Sequence, residues 1–441
     1  MRCGDEREVA ALSCAMMRLL VVLLSFLPAA ASAATVCVNP TGAGGCFPTI
    51  QQGVDAAVSG DVVDVAAGVY VERVVVAKQK RIRLQGAGPA ATIIDGRGRG
   101  TVLKIKSPNQ RITVTGIGIR NGRRGLAFGE LVKIDIADCA ITGNAKGGGI
   151  NGDGAGSITT VTRCTIAGNS SKGSGGGIRI VSSGSSSLPR ARLEMVSSAV
   201  RGNSAAGVGG GIYVDGKAML IDSSVDDNSA RDSGGGVSVS GNLTVVGSTI
   251  SRNRTLGGDA AVTGGGGIDA GKHVVTIRNS TISGNSTISG VDPPSTRGLG
   301  GGLLAQGRVE LEHVTVANNT SDNRGGGIFA GPVSLKASLI GDNAAPSGRD
   351  CDTLDPSGSV TALGANLMED ATSCDVRGGV LIGGDPMLGL LQDNGGTTET
   401  QALLAGSPAI GVVTTAALCQ APDQRGITRA VPCDLGSYEA P

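Results

Sequence analysis

The sequence predicts an all-β fold, a parallel β-helix, which is a solenoid of about 12 coils. Three observations predict it. Eight asparagines recur at one place in a repeating unit, 24 to 34 residues apart, and aliphatic residues alternate with period two before each of them. Glycine is abundant, with 74 in 441 residues, which disfavours helices. The asparagines are Asn144, Asn169, Asn203, Asn228, Asn253, Asn285, Asn319 and Asn343.

The columns before the asparagines suggest strands that stack in register. Each residue three places before an asparagine is Ile or Val, and five places before stands a small residue, mostly Ser or Cys. Six places before, the side chain is expected to point to solvent as on an exposed strand face, because that column has no apolar character. Its members are Asp138, Arg163, Ser197, Asp222, Gly247, Asn279, His313 and Ala337.

The repeated asparagine is predicted to be structural. It is expected to sit at a sharp corner, where Asn tolerates the left-handed backbone conformation. Its amide can hydrogen-bond to the asparagine one coil away, as stacked Asn ladders do. Glycine triplets follow most of the asparagines, as at 175–177 and 209–211, and mark a second turn of each coil.

The N-terminus has the pattern of a secretory signal peptide, preceded by a polar lead-in. Met17 and Arg18 come before an apolar run from Leu19 to Leu27, and small residues end at Ala33. We expect cleavage after Ala33, so that residues 1–33 are removed and no membrane span remains. The mature protein is predicted to be secreted, surface-located or periplasmic.

Eight cysteines follow the leader, an even number that suits an oxidising compartment. Proximity in sequence suggests the disulfides Cys37–Cys46, Cys351–Cys374 and Cys419–Cys433. Cys139 and Cys164 occupy the small-residue column in successive coils. They either bond across coils or are buried thiols, and the sequence leaves both open. No cysteine pair has the spacing of a zinc site, so no structural metal is predicted.

Charge and composition exclude some classes of partner. The formal net charge of +1 gives no reason to expect nucleic acid or an anionic membrane as partner. Trp is absent and aromatic residues are scarce, so a stacking platform for sugar rings is hard to build. A polysaccharide or another surface protein remains a possible partner, and the chain is expected to be a monomer.

Residues 34–130 are predicted to form the N-terminal cap and first coils. A short amphipathic segment, about Ile50 to Val58, is followed by the pattern Gly68-x-Tyr70-x-Glu72. This stretch resembles the opening of right-handed parallel β-helices of the pectin lyase-like superfamily, in which such a helix covers the first coil. A cover is also needed on physical grounds, because an open end would expose strand edges and apolar interior.

Residues 131–345 are predicted to be regular repeats. Residues 346–441 are predicted to form a C-terminal region closed by disulfides. The tail contains DNGG at 393–396, DQRG at 423–426 and CDLGSYE at 433–439. It is similar to the choice-of-anchor Q domain of bacterial cell-surface proteins. That resemblance implies a location at the cell surface, whereas release or periplasmic retention is the alternative.

Two consecutive coils carry insertions at the same turn. The distance from asparagine to the end of its glycine triplet is longer after Asn253 and Asn285, so the inserted loops should lie side by side. They carry the candidate catalytic residues Asp259, Asp292 and Arg297. These residues form a charged edge, which is extended by Arg254 and by the flanking Arg231, Asp232, Asp322 and Arg324. The edge either binds an acidic polysaccharide, with calcium held by the aspartates, or carries charge only for solubility.

The sequence therefore favours a binding protein of adhesin type that uses no cofactor. The alternative is a carbohydrate-active enzyme, a polysaccharide lyase or glycosidase acting on acidic polysaccharide, for which calcium is the only ion considered. A purely structural surface filament is a third possibility. Neither His273 nor His313 is expected to act in catalysis, because the two occupy different places in their units and look like exposed strand residues.

Overall fold

The computed structural model describes residues 33–77, 79–182, 189–258, 263–288, 298–353 and 359–441. The predicted signal peptide and the candidates Asp259, Asp292 and Arg297 therefore lie outside the described residues. Residues 35–441 form one compact unit. This unit is a right-handed parallel β-helix, as predicted, built of three parallel sheets.

The described strands are numbered in chain order. Sheet 1 contains β1 Thr35–Val38, β2 Val62–Val65, β3 Gly68–Tyr70, β5 Arg83–Gly86, β6 Thr92–Asp95, β8 Arg111–Thr115, β9 Gly118–Arg120, β11 Lys133–Ala137, β12 Ala140–Thr142, β15 Ile158–Thr162, β16 Thr165–Ala167, β19 Ala191–Val196, β20 Ala199–Arg201, β23 Gly216–Ile221, β24 Ser224–Asp226, β27 Leu243–Val246, β28 Thr249–Ser251, β31 Val275–Ser283, β34 Val309–Ala317, β37 Val333–Lys336, β38 Leu339–Gly341, β40 Ser359–Leu363, β41 Ala365–Met368, β42 Asp375–Arg377 and β43 Val380–Ile382. Sheet 2 contains β4 Val74–Val76, β7 Thr101–Ile105, β10 Arg124–Phe128, β14 Ile150–Asp153, β18 Ile178–Val181, β22 Ile212–Val214, β26 Val237–Val239, β30 Ile268–Asp269, β33 Leu303–Ala305, β36 Ile328–Ala330 and β39 Cys351–Thr353. Sheet 3 contains β13 Ala145–Lys146, β17 Ser170–Ser171, β21 Ser204–Ala205, β25 Ser229–Ala230, β29 Arg254–Thr255, β32 Ser286–Thr287 and β35 Thr320–Ser321, and β44 Leu388–Gln392 pairs antiparallel with β45 Thr400–Leu403.

Like positions of successive coils stack in register, so the apolar columns form one continuous core. Ile141 pairs with Ile166, Ile166 with Val200, and Val200 with Val225. All these side chains are fully buried. Burial on the inner face drives the stacking, because a slip of one residue would turn the whole column to solvent.

The left-handed corners lie one residue away from the predicted place. In each of the eight units the residue just before the asparagine has φ of 54° to 66°, whereas the asparagine itself is not left-handed. The column six places before is also wrongly predicted: its members do not have an extended backbone but form a second set of left-handed corners, with φ of 42° to 60°. Two of these corners fall within the long strands β31 and β34. The first glycine of most triplets, such as Gly175 and Gly209, makes a third corner with φ of 67°.

The eight asparagines form one buried ladder. At each step both the backbone N–H and the Nδ2 of one asparagine donate to the Oδ1 of the next, at 2.9 to 3.0 Å. At the last step Asn343 Nδ2 donates to Asp350 Oδ1 at 2.9 Å. Burial raises the pKa of Asp350 to about 6. The left-handed corner interrupts the backbone ladder, and the side chain of the next coil supplies the missing acceptor.

The small-residue column repeats this device at the other corner. The N–H of Ser198 donates to Ser223 Oγ, and that of Ser223 to Ser248 Oγ, both at 3.1 Å. Likewise, the N–H of Cys139 donates to Cys164 Sγ at 3.3 Å. Cys139 and Cys164 are buried free thiols, while the three predicted disulfides link Cys37–Cys46, Cys351–Cys374 and Cys419–Cys433.

Helix α1, Ile50–Ala56, covers the first coil and buries Ile50 and Val54. Its N-terminus is held by Glu72, whose two carboxylate oxygens accept from the N–H groups of Ile50 and Gln51 at 2.7 and 3.0 Å. A carboxylate at a helix N-terminus stabilises the free N–H groups and the helix dipole. This explains the acid at the end of the Gly68-x-Tyr70-x-Glu72 pattern. No described helix is long and apolar enough to span a bilayer.

The parallel strands continue beyond the predicted boundary at residue 345, as far as β43. Residues 383–441, called here the C-terminal segment, then turn back along the outside of sheet 1. Thr398 Oγ1 donates to the carbonyl of Gly247 at 3.1 Å, and the N–H of Ser437 donates to Thr315 Oγ1 at 3.0 Å. The segment therefore covers the flank of several coils.

The quoted tail motifs hold this segment in place. Gln424 bonds Thr281 Oγ1 and Thr249 Oγ1 at 2.7 and 2.8 Å, so it bridges two coils. Arg429 and Glu439 form a buried ion pair at 3.1 Å. The described contacts of DQRG and CDLGSYE are thus those of a packing interface.

His313 differs from its predicted environment. It is a buried corner residue with φ of 52°, 1% exposed, and its Nε2 lies 2.6 Å from the carbonyl oxygen of Leu418. Burial, aided by the nearby Arg429, lowers the pKa of His313 to about 4. It is buried because the C-terminal segment covers it, which the repeat pattern could not show.

Candidate functional site

The predicted charged edge is only partly described. Arg254 is exposed at the start of the first inserted loop. Arg324 forms a double salt bridge with Asp352, at 2.7 and 2.8 Å, and lies 5.1 Å from the ring centroid of Phe329. The carboxylate of Asp352 is almost fully buried, so this pair holds neighbouring coils together.

Asp269 is a residue near this edge that the sequence did not single out. It lies on the outer face of sheet 2, in register with Ser238 and Leu304 of the adjacent coils. The N–H of Gly271 donates to its Oδ1 at 3.2 Å, and burial raises the pKa of Asp269 to about 6. A carboxyl group that titrates near neutrality can exchange a proton at physiological pH.

A strong local charge lies elsewhere, in the early coils. Residues 96–129 contain no Asp or Glu, whereas they contain eight basic residues. These are Arg97, Arg99, Lys104, Lys106, Arg111, Arg120, Arg123 and Arg124. The net charge of the whole chain concealed this run, although a charge count over short windows of the sequence would have found it.

The fold gathers part of this run on the outer side of sheet 2. The basic groove, as we name it, consists of Lys104, Lys106, Arg123, Arg124 and Lys146. Lys104 projects outward from β7, opposite Ala127 of β10, and Arg124 begins β10. Lys146 comes from β13 of the following coil. All five side chains are exposed, and residues from three coils thus line one surface.

The groove is divided into two adjoining cavities. One, of about 280 Å³, is lined mainly by Arg123, Arg124 and Lys146. The other, of about 540 Å³, is lined by Lys104, Lys106 and Arg124 together with apolar residues. Arg124 and Thr101 border both cavities, so the two lie side by side. The larger volume lies in the range of small-molecule sites.

The basic groove is unneutralised. None of its five cations forms a salt bridge or a side-chain hydrogen bond with any described residue. Like charges held together on a surface raise the local positive potential and attract anions. Two carboxylates border the larger cavity, but that of Asp153 is paired with Arg179, which leaves Glu130 as the unpaired acid among the described lining residues.

The larger cavity, called here the apolar chamber, has an apolar floor. Ile105, Phe128 and Val132 form the floor, all below 5% exposure and all part of the main core. Gly152 of β14 is the strand partner of Phe128 in the next coil. A Cβ at Gly152 would lie 2.5 Å from the Phe128 ring. Glycine at this position gives the ring its room. The chamber therefore borders core side chains, which expose little of their own surface.

Among its described lining residues the groove holds a single carboxylate without a cationic partner, Glu130. Two carboxylates, Glu130 and Asp153, lie beside the cations, and Asp153 is paired with Arg179. General acid–base hydrolysis of a glycoside needs two carboxyl groups that face each other. Nor do the described residues include a cluster of three or more His, Cys, Asp or Glu able to hold a metal ion.

Comparison with known proteins agrees with the fold. Residues 192–345 match the family described as the right handed beta helix region. No curated protein matches the chain in sequence. The family match at residues 192–345 covers regular repeats on the C-terminal side of the basic groove.

Similar solved structures include enzymes that act on polysaccharides. A pectate lyase is 12% identical, with a TM-score of 0.45, over 93% of this chain and 97% of that one. An alginate lyase of the PL6 family is 13% identical, with a TM-score of 0.43, over 91% of this chain and 57% of that one. A pectin methylesterase from carrot is 14% identical, with a TM-score of 0.30, over 79% and 88%. Likeness at this level adds nothing about activity.

Proposed function

We propose that this chain is an exported bacterial binding protein of adhesin type, which acts without catalysis at the cell envelope or outside the cell and binds an acidic polysaccharide. The observation that supports this is the basic groove, where five exposed cations from neighbouring coils have no anionic partner among the described residues. The three disulfides are consistent with an extracellular protein.

The chemistry of the groove favours a polysaccharide over a nucleic acid. Lysine and arginine side chains attract carboxylates and sulfates as readily as phosphates. Single-stranded nucleic acid is usually bound on exposed aromatic rings, but Phe128, the aromatic residue of the groove, is 4% exposed. Stacked coils also repeat at about 4.8 Å, a regular spacing for side chains that contact a linear polymer.

The test is a binding titration with polygalacturonate, neutral dextran and single-stranded DNA. The double variant Lys104→Glu/Arg124→Glu should weaken polygalacturonate binding at least about tenfold, because it reverses charge on both cavities. Lys217→Glu is the matched control, since Lys217 is exposed on β23, outside the groove. Equal binding by all three proteins, or stronger binding of DNA than of polygalacturonate, would refute the proposal.

Catalysis on acidic polysaccharide is the second candidate, and Asp269 is the observation in its favour. A carboxyl group with a pKa of about 6 on the outer face of sheet 2 has the proton affinity of a general acid or base. Release of unsaturated or reducing ends from polygalacturonate, lost in Asp269→Asn, would establish an enzyme. Binding without product release would support the recognition protein.

A further inference from the structure

The basic groove and the apolar chamber share one opening. Lys104 and Arg124 border the cavity whose floor is formed by Ile105, Phe128 and Val132. Cations that approach an apolar floor present two kinds of binding surface to one ligand. A uniformly charged sugar chain would use the cations and leave the chamber filled with water.

We infer that the ligand of this site is amphiphilic: an anionic group on the basic groove is joined to an acyl or aryl group that enters the apolar chamber. The inference deepens the proposed function, because it states what the anionic ligand carries. Charge complementarity fixes the anionic end, since Lys104, Lys106 and Arg124 have no partner among the described residues.

The apolar end is fixed by the construction of the chamber. β7 and β10 run side by side, with Ile105 opposite Phe128, and the chain then leaves both strands in separate turns. The chamber lies between these turns and is closed below by core residues. A solvated cavity of about 540 Å³ over apolar side chains gains free energy when an apolar group replaces its water.

Glu130 sets the direction in which the ligand lies. Its carboxylate borders the cavity and is unpaired among the described residues, so an anionic group is repelled from that side. Arg123 and Lys146 extend the positive charge on the opposite side, in the smaller cavity. The anionic group therefore belongs between Lys104 and Lys146, and the apolar group points toward Phe128.

The test uses inorganic phosphate and a series of butyl, hexyl and octyl phosphates, each below its micelle concentration, in calorimetric titrations with the mature chain. Each buried methylene should tighten binding about fourfold, until the chamber is full and the gain stops. Ala127→Phe places a ring in the chamber mouth without changing charge, because Ala127 projects outward beside Lys104. This variant should abolish the dependence on chain length. Thr160→Phe, on the outer face of β15, is the matched control.

A second variant separates the two halves of the site. Lys104→Gln/Arg124→Gln should weaken every phosphate by a similar factor and leave the dependence on chain length unchanged. Affinity that does not depend on chain length in the unmodified protein, or an unchanged dependence in Ala127→Phe, would overturn the inference. Polygalacturonate binding, measured in parallel, decides the proposed function independently, because Ala127→Phe leaves all five cations in place.

Discussion

At the scale of single residues, each coil turns by one repeated device. A residue with positive φ bends the chain, and the side chain after it accepts the N–H of its counterpart in the preceding coil. Asn does this at one corner, and Ser or Cys at another. The buried backbone groups at these corners are thus satisfied by side chains, which a β-helix with sharp corners requires.

Asn228→Ala tests the asparagine ladder in its middle. The change removes the acceptor for the N–H and Nδ2 of Asn203. It also removes the Nδ2 that donates to the carbonyl of Val200 and to Asn253 Oδ1, which keeps the backbone N–H of residue 228 as its donor. Several buried groups lose partners at once, so we expect a loss of about 3 kcal/mol or more in the free energy of unfolding. Urea denaturation measures it. Ser229→Ala, at the next residue, should change stability by less than about 0.5 kcal/mol.

Asp222 tests the left-handed corner. Its φ is 47°, and the same position in the next coil is Gly247. Asp222→Ala should cost about 1 kcal/mol, because a left-handed φ is sterically unfavourable for Ala and is adopted more readily by Asp. Asp222→Gly should be nearly neutral, since glycine adopts positive φ without strain. If Ala and Gly are equivalent in the same denaturation assay, the corner is not left-handed.

His313 predicts a pH dependence. Its pKa is about 4 in the folded protein, below the unfolded value of about 6.5. The unfolded chain therefore binds more protons between these values, and stability falls as the pH drops through that window, by up to about 3 kcal/mol. Arg429 and the backbone groups of Leu418 and Gly436 face the ring or lie beside it.

His313→Asn should remove this part of the pH dependence. Asn occupies the same corner in the preceding coil, at Asn279, so the variant keeps a tolerated backbone. The measurement is the difference in unfolding free energy between the two proteins at several pH values, which cancels carboxylates that titrate in both. His273→Asn is the control, because His273 is only half-buried. A difference that does not vary with pH would contradict the assignment.

At the scale of elements, the C-terminal segment behaves as a cover for the flank of sheet 1. Its contacts reach from Gly247 to Ala337, which spans several coils. Arg425 lies 3.6 Å from the ring centroid of Tyr438, and Asp423 accepts from the N–H groups of Ile427 and Glu439. The tail motifs DQRG and CDLGSYE thus have a structural role that explains their residue types.

Arg429→Met tests this cover. It leaves Glu439 buried without its cation, and removal of one partner from a buried pair costs about 3 to 5 kcal/mol. We expect proteolysis to cut within residues 383–441 at protease levels that spare the coils. Arg377→Met is the control, because Arg377 and Asp375 form an exposed pair that should contribute little. Cleavage spread evenly over the chain would mean that the segment and the coils unfold together.

At the scale of the whole molecule, a net charge of +1 coexists with a strong local imbalance. Basic residues concentrate in the early coils, and the fold brings some of them onto one face of sheet 2. Function follows from such local fields more than from the total charge, because charges farther apart than the Debye length are screened from each other.

Polygalacturonate binding should therefore depend strongly on salt. An increase from about 0.1 M to about 1 M shortens the Debye length from about 10 Å to about 3 Å, and the affinity should fall by at least about tenfold. Titrations at these salt concentrations check it, with thermal melts to show that the coils stay folded. Affinity that survives high salt would assign the binding to uncharged contacts instead.

The fold was predictable because it repeats. Eight units with the same columns define one inner face eight times, so an error at one position does not change the interpretation. The capping helix was predictable because the open end of the first coil must be covered. The basic run at 96–129 was also present in the sequence, but a count over the whole chain concealed it.

The sequence by itself determined the coil, its stacking register and its asparagine ladder, since these follow from side-chain periodicity and local backbone preference. Only the tertiary structure decided where the corners bend, that the tail buries His313, and that Lys104 and Arg124 meet over the apolar chamber beside the cavity of Lys146. The physical reason is that these features join residues of different coils or of the tail and a coil. No local pattern encodes which surfaces such distant segments will share.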